Sequence, residues 1–96
     1  MKLEDPQYEL LERLVEAHRS APPEKRAAFV VSVTHNKPQA SFIHSRVHGL
    51  CVEGSLSDAK VLAHLGLVKM SGCGSSEALA VLPAGISAYE GRRQAL

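Results

Sequence analysis

The sequence predicts a small α+β domain, and three observations support this prediction. The chain has 96 residues, of which 45% are hydrophobic, so it has room for one hydrophobic core. Residues 55–89 have the pattern of a helix, a glycine-containing hairpin and a second helix. Residues 29–34 have the β-branched density of a strand. We therefore expect a single domain over residues 1–96, built from helices and short hairpins.

The first helix is predicted to begin at Asp5-Pro6 and to end near Arg19. Its apolar residues recur at helical spacing and form one stripe: Tyr8, Leu11, Leu14 and Val15. The prolines at 22 and 23 interrupt this helix, and Pro23 suits the first turn of a second, short helix over residues 23–28. The N-terminal part of the chain is therefore expected to be helical.

Residues 29–48 allow two interpretations. We prefer a strand over 29–34, a turn at 36–39 and a second strand over 40–44, which together form a hairpin. Continuation of the second helix through residue 34 and a helix over 42–48 are the competing interpretations. On either interpretation residues 47–54 are predicted to be a connection, with Gly49 and Gly54 allowing bends.

A capped helix is predicted over residues 55–65. Ser55 and Asp58 have the spacing of a capping box, and Gly66 is a suitable C-terminal cap. Apolar residues form a buried stripe on this helix: Leu56, Ala59, Leu62, Ala63 and Leu65. The opposite face carries Ser57, Lys60 and His64.

A hairpin and a final helix are predicted to follow. Residues 67–70 and 78–82 have the composition of strands, and residues 71–76 have that of a loop. Pro83 suits the first turn of the last helix, whose apolar face contains Ile86 and Tyr89. Arg92 and Arg93 place positive charge near its C-terminal end.

These elements resemble the winged-helix domains of bacterial regulators. In that family the recognition helix often ends in a Leu-Gly-Leu-Val turn, and the second wing strand often runs into a Pro-Gly helix start. Here the matching residues are 64–68 (HLGLV) and 82–86 (LPAGI), so the resemblance covers only the chain from residue 55 onwards. It implies a winged-helix-like domain with N-terminal helices, a β-hairpin, a recognition-type helix, a two-stranded wing and a C-terminal helix. A generic α+β domain with an ordinary hairpin is the alternative.

The resemblance implies binding of duplex DNA, as in a transcriptional regulator, with the 55–65 helix and the 71–77 wing as the contact surface. Ser57, Lys60 and His64 would face the major groove. Ser55 and the amides beside it would hold a phosphate at the helix N-terminus. The other candidates for contacts to the DNA backbone are Lys69, Ser75 and Ser76 of the wing, together with Arg46, Arg92 and Arg93.

Charge is the main evidence against DNA binding. The net charge is only +1 with neutral histidines, and Glu53, Asp58 and Glu77 are acidic residues near the predicted surface. The second hypothesis is therefore a non-catalytic protein-interaction or dimerisation module. On either hypothesis, a homodimer through the first and last helices or a place in a larger protein is expected. The reason is that several apolar residues of these helices exceed the apolar surface that one copy is expected to bury, namely Leu3, Tyr8, Leu11, Ile86, Tyr89 and Leu96. A continuous positive patch joining residues 57–64 to Lys69 would favour DNA, and acidic or apolar cover would favour a protein partner.

Catalysis, a cofactor and a metal site are not expected. No sequence context presents a nucleophile at a strained turn, and the phosphate-loop pattern is absent from the sequence. His44 and His48 would share a helix face only if that segment were helical, and the zinc-protease pattern is missing. Cys51 and Cys73 are expected to be free thiols. With no apolar run of membrane-spanning length and no signal-peptide pattern, a cytoplasmic location is expected.

Overall fold

A computed structural model describes residues 3–25, 28–33, 39–73 and 76–95, without the side chains of 73, 76 and 92–95. The described residues form three α-helices, namely α1 (Asp5–Ser20), α2 (Leu56–His64) and α3 (Pro83–Ala95), and a 3-10 turn at Pro23–Lys25. They also form five strands, namely β1 (Phe29–Val33), β2 (Gln39–His44), β3 (Cys51–Ser55), β4 (Val68–Cys73) and β5 (Ser76–Val81). The predicted α+β class is confirmed.

The five strands form one antiparallel sheet in the order β3-β2-β1-β5-β4. Helix α1 packs on β3 and β5, helix α2 packs on β3 and β4, and α3 packs on α1. The molecule therefore has two layers, with the helices on one face of the sheet. In the described part of the chain, no element covers the other face.

The core lies between the helices and the sheet. Its largest fully buried side chains are Phe29, Phe42, Leu11, Leu14, Leu62 and Leu79. Tyr8 and Tyr89 are also buried, so all four aromatic residues are in the core. Burial of these side chains supplies the main driving force for packing the two layers together.

The preferred β-hairpin over residues 29–44 is confirmed, because β1 and β2 pair in register from Phe29 with His44 to Val33 with Ala40. The competing helix over 42–48 is wrong. Ala40, Phe42 and His44 are buried while the residues between them are more exposed, which is the period of two that a strand imposes. The predicted turn at 36–38 lies outside the described residues, and Gln39 already begins β2.

The prediction of a connection over residues 47–54 is wrong beyond Leu50, since residues 51–55 form β3 and pair with β2. Gly54 has a packing role there. A β-carbon at this position would lie 2.6 Å from Leu10 Cδ1, so the missing side chain lets α1 approach the strand.

The strands of the second hairpin extend through most of the predicted loop. Gly72 pairs with Glu77, and Cys73 pairs with Ser76, so only residues 74–75 lie between the strands and they are outside the described residues. The loop prediction for 71–73 and 76 is therefore wrong. Backbone pairing with a long partner strand overrides the turn-like composition of these residues.

Helix α2 ends as predicted. Gly66 has a φ of +78°, its N–H donates to Ala63 O at 3.1 Å, and the N–H of Leu67 donates to Leu62 O at 3.0 Å. This bond pattern is a Schellman motif, which glycine forms without the steric cost of a side chain.

The beginning of α2 differs from the prediction. Ser55 is the N-cap, but its side chain makes no cap hydrogen bond. Ser55 is also the last residue of β3, where it pairs with Gln39. A capping box is instead present at α1, where the backbone N–H of Glu4 donates to Gln7 Oε1 at 3.2 Å.

Two further differences concern the helices. The short second helix expected over 23–28 is reduced to the Pro23–Lys25 turn, and residues 26–27 lie outside the described residues. In the described chain, α2 follows β3 directly, whereas a helix-turn-helix places another helix at that position. The last helix begins at Pro83 as predicted.

Candidate interaction surfaces

The first candidate surface is the exposed face of α2. Ser57, Lys60 and His64 are all exposed, and their spacing places them on one side of the helix, as the sequence predicts. Ser55 is half-buried at the junction of β3 and α2. This face is accessible to a ligand, but it contains a single permanently charged cation.

Acidic groups lie beside that cation. A cleft of about 280 Å³ separates α2 from the β4–β5 hairpin, and both Lys60 and Glu77 line it. Glu77 is exposed, and the half-buried Asp58 is on the same helix. Their carboxylates reduce the positive potential that Lys60 would present to a phosphate backbone.

Lys69 points away from α2. Its strand neighbours Val68 and Met70 pack into or against the core on the helix side, and the side-chain alternation of a strand places Lys69 on the opposite face. The structure therefore does not bring Lys60 and Lys69 together.

For the remaining residues predicted to contact DNA, the described part of the structure does not show side chains beside the exposed face of α2. Ser75 lies outside the described residues, and Ser76 begins β5 without a described side chain. Arg92 and Arg93 belong to α3, and their side chains are also undescribed. Arg46 is exposed in the turn after β2.

The second candidate surface is the uncovered face of the sheet, which we call the open face. One row of paired residues crosses all five strands of this face. In sheet order the row is Cys51, Ile43, Val30, Ala78 and Ser71. Val30 and Ile43 are large apolar side chains that remain 46% and 42% exposed at its centre. This row, which we call the central strip, is apolar from Cys51 to Ala78 and ends in the polar Ser71.

The rows on either side of this strip are mostly small and polar. Glu53, Ser41 and Ser32 form one flanking row, and Ala80 with Lys69 lies in the other. Among the described side chains of the open face, the charges are Glu53 on one edge strand and Lys69 on the opposite edge strand. They lie at diagonal corners of the face.

The sequence did not predict the open face, because part of this face is formed by β3, a strand that the sequence did not predict. Val30 and Ile43 alternate with buried neighbours, which is a local signal for an outward-facing position. That signal does not distinguish a face covered by another element from one that remains uncovered. Only the complete strand order and the placement of every helix on one side reveal it.

The first and last helices use their apolar residues within one copy. Tyr8 and Tyr89 stack at a centroid distance of 6.4 Å, and Tyr8 Oη donates to the Tyr89 carbonyl oxygen at 3.3 Å. Tyr89 Oη donates to Glu16 Oε1 at 3.2 Å, and Arg19 pairs with Glu90. Leu11 is fully buried. These contacts bury much of the apolar surface that the sequence predicts for dimerisation. Leu96 lies outside the described residues.

His44 has a structural environment. It is 4% exposed, and its Nδ1 accepts hydrogen bonds from the backbone N–H groups of Arg46 at 3.1 Å and Val47 at 3.0 Å. Its ring packs edge-on against the ring of Phe29, with 5.3 Å between the two ring centroids. An accepting Nδ1 places the neutral ring's proton on Nε2, which is buried without a partner in the described structure. His44 thus fixes the turn after β2.

Other chemistry is sparse in the described residues. They contain no group of three or more His, Cys, Asp or Glu residues arranged to hold a metal ion. Cys51 is an exposed free thiol, and the side chain of Cys73 is undescribed. A second open cleft of about 410 Å³ lies between α1 and β3 and includes Arg13, Glu16 and Glu53. Within the described residues, no helix is both long and apolar enough to cross a bilayer.

Comparisons with known proteins identify no relative. No family model, curated protein or solved structure matches this chain. The functional argument therefore depends on the surfaces described above.

Proposed function

We propose that this chain is a non-catalytic protein-interaction module that binds through the open face of its sheet. The observation that carries the proposal is the exposure of Val30 and Ile43 at the centre of a face that no described element covers. Its proposed partner presents a flat, weakly charged protein surface with apolar side chains at its centre.

The layout of the face suits such a partner. An apolar centre with a polar rim is the common anatomy of protein interfaces, and Ser32, Ser41 and Ser71 supply small polar groups around the Val30–Ile43 pair. Small side chains also let a second flat surface approach closely. Complete burial of a valine or isoleucine side chain contributes about 1.5–3 kcal/mol, and part of this gain remains available at both positions.

DNA binding through α2 is the second candidate function. The observation that favours it is the shared exposed face of Ser57, Lys60 and His64. Glu77 beside Lys60, the opposite orientation of Lys69 and the net charge of +1 weigh against it. We therefore rank it below protein binding.

Site-specific photo-crosslinking tests the protein-interaction proposal. A photoreactive phenylalanine analogue is introduced at Val30 in one variant and at Lys60 in another, and each full chain is irradiated in the cells that produce it. We expect discrete protein adducts from position 30 and none from position 60. Loss of the position-30 adducts on adding Ile43→Glu is also expected, because both residues belong to the same strip.

Position 60 provides the matched control, because it is exposed on the helix side of the molecule. Nucleic-acid adducts from position 60, with no protein adduct from position 30, would overturn the proposal and support DNA binding. Salt-sensitive binding of duplex DNA that disappears in Lys60→Glu would point the same way.

A further inference from the structure

We propose that the protein seated on the open face is a second copy of this chain, related to the first by a two-fold axis that passes over Val30. This inference depends on the proposed function, because it names the partner of the same surface. It predicts a face-to-face dimer in which the two sheets form the inner layers and the helices form the outer layers.

The layout of the central strip is compatible with this symmetry. Val30 lies on β1, the middle strand of five, and has two residues of the strip on each side. A two-fold axis over Val30 therefore places the valines of the two copies together. The two strips cross at this point, and no charged residue of either strip lies at the centre of the interface.

The charges provide the more specific argument. Glu53 and Lys69 lie on opposite edge strands and on opposite sides of the central strip. Four strand spacings separate them by about 19 Å across the sheet, so they are too far apart to pair within one copy. Consider a two-fold axis that lies between the two sheets, perpendicular to the line from Glu53 to Lys69. It brings Glu53 of each copy to the corner where the other copy has Lys69. The same contact then occurs twice.

The size of the face predicts a weak dimer. Five strands about 4.8 Å apart and about five residues long cover roughly 24 by 17 Å, or about 400 Å² of projected area per copy. Two copies contribute about 800 Å², below the 1,200 Å² or more typical of stable specific interfaces. We therefore expect a weak, transient dimer that forms only at high protein concentration.

Charge reversal tests the proposed pairing. Sedimentation equilibrium is measured on the full chain from about 10 μM to about 1 mM for the native sequence, Glu53→Lys and Lys69→Glu. Each single variant places like charges at both corners, and we expect its dimer dissociation constant to rise about tenfold or more. An equimolar mixture of the two variants should associate again, because the heterodimer contains opposite charges at both corners.

Lys60→Glu is the control, because it makes the same change in net charge as Lys69→Glu on the helix side of the molecule. It should associate like the native chain, and circular dichroism should show that every variant is folded. Restored association in the mixture supports the arrangement. Association that was lost through a general effect of charge or through misfolding would not return when the two variants are mixed.

Two outcomes would overturn the second-copy proposal. One is a native chain that remains monomeric throughout the concentration range. The other is a dimer unaffected by either reversal, which would place the contact on another surface such as a sheet edge. Adducts in which position 30 is joined to a different protein would then retain the interaction function while assigning a different partner.

Discussion

At the scale of single residues, the backbone conformation and the backbone hydrogen bonds at a few positions determine which side chain can occupy them. The Schellman turn at Gly66 and the acceptor role of His44 are examples, because each satisfies backbone groups that would otherwise lack partners. The glycine cap is predictable from its position after an apolar helix. The histidine is not, because nothing local to its sequence indicates that two amides will converge on Nδ1.

Gly66→Ala and Gly91→Ala should change stability in opposite directions. Alanine at 66 must adopt a φ of +78°, which costs about 1 kcal/mol. Gly91 lies within α3, and a β-carbon there has open space around it. Alanine should therefore stabilise that helix by about 0.5–1 kcal/mol. Urea unfolding of both variants checks the prediction, which equal effects would contradict.

His44→Leu should destabilise the turn after β2. The substitution leaves the N–H groups of Arg46 and Val47 without their acceptor, so we expect a loss of about 1–3 kcal/mol. Urea unfolding measures this loss, and hydrogen exchange should accelerate at these two amides. Ser45→Ala, an exposed change in the same turn, is the control and should alter stability by less than about 0.5 kcal/mol. Unchanged protection of both amides in His44→Leu would contradict the assigned role.

At the scale of elements, local periodicity predicts the helices and two hairpins better than it predicts their neighbours. Helix α1 and the β1–β2 hairpin have strong apolar patterns of period 3.6 and 2. Strand β3 has the sequence Cys-Val-Glu-Gly-Ser, with only one large apolar residue and a glycine. Its formation depends on pairing with β2 and on contact with α1, which are tertiary interactions that the local sequence does not specify.

The placement of α3 depends on close backbone approach at Gly85. A β-carbon there would overlap the carbonyl oxygen of Leu67, which also accepts a hydrogen bond from Leu82 N–H at 3.2 Å. We expect Gly85→Ala to cost more than about 2 kcal/mol, because backbone atoms cannot move aside as a flexible side chain does. Thermal unfolding measures the effect against Gly91→Ala in the same helix. A loss below about 0.5 kcal/mol would show that α3 does not require this contact.

At the scale of the whole molecule, the open face results from the arrangement of all elements together. Three helices on one side leave the five-stranded sheet uncovered on the other within the described part of the chain. The sequence predicts the exposed face of α2 from one helical pattern. It does not predict the open face, because that surface requires the strand order and the side on which each helix packs.

Replacing the apolar centre of the open face should affect association more than folding. Val30→Thr combined with Ile43→Thr retains β-branched side chains at exposed positions, so we expect stability to change by less than about 1 kcal/mol. Association through the open face should weaken about tenfold or more, because apolar contacts are lost at its centre. Urea unfolding and sedimentation equilibrium check the two effects.

Val31→Thr is the matched control for this pair. Val31 neighbours Val30 on the same strand but is only 8% exposed and belongs to the core. Introducing a hydroxyl there should cost about 1–3 kcal/mol. Equal destabilisation by the exposed and buried substitutions would contradict the assignment of Val30 to an uncovered surface.

Photo-crosslinking from Val30, compared with Lys60, is the measurement that most directly tests whether the open face is the working surface. We expect protein adducts from position 30 that disappear with Ile43→Glu, and no protein adducts from position 60. Adducts of twice the chain's mass would identify a second copy as the partner. The absence of adducts from position 30, with nucleic-acid or protein adducts from position 60, would contradict the proposal and assign the function to α2.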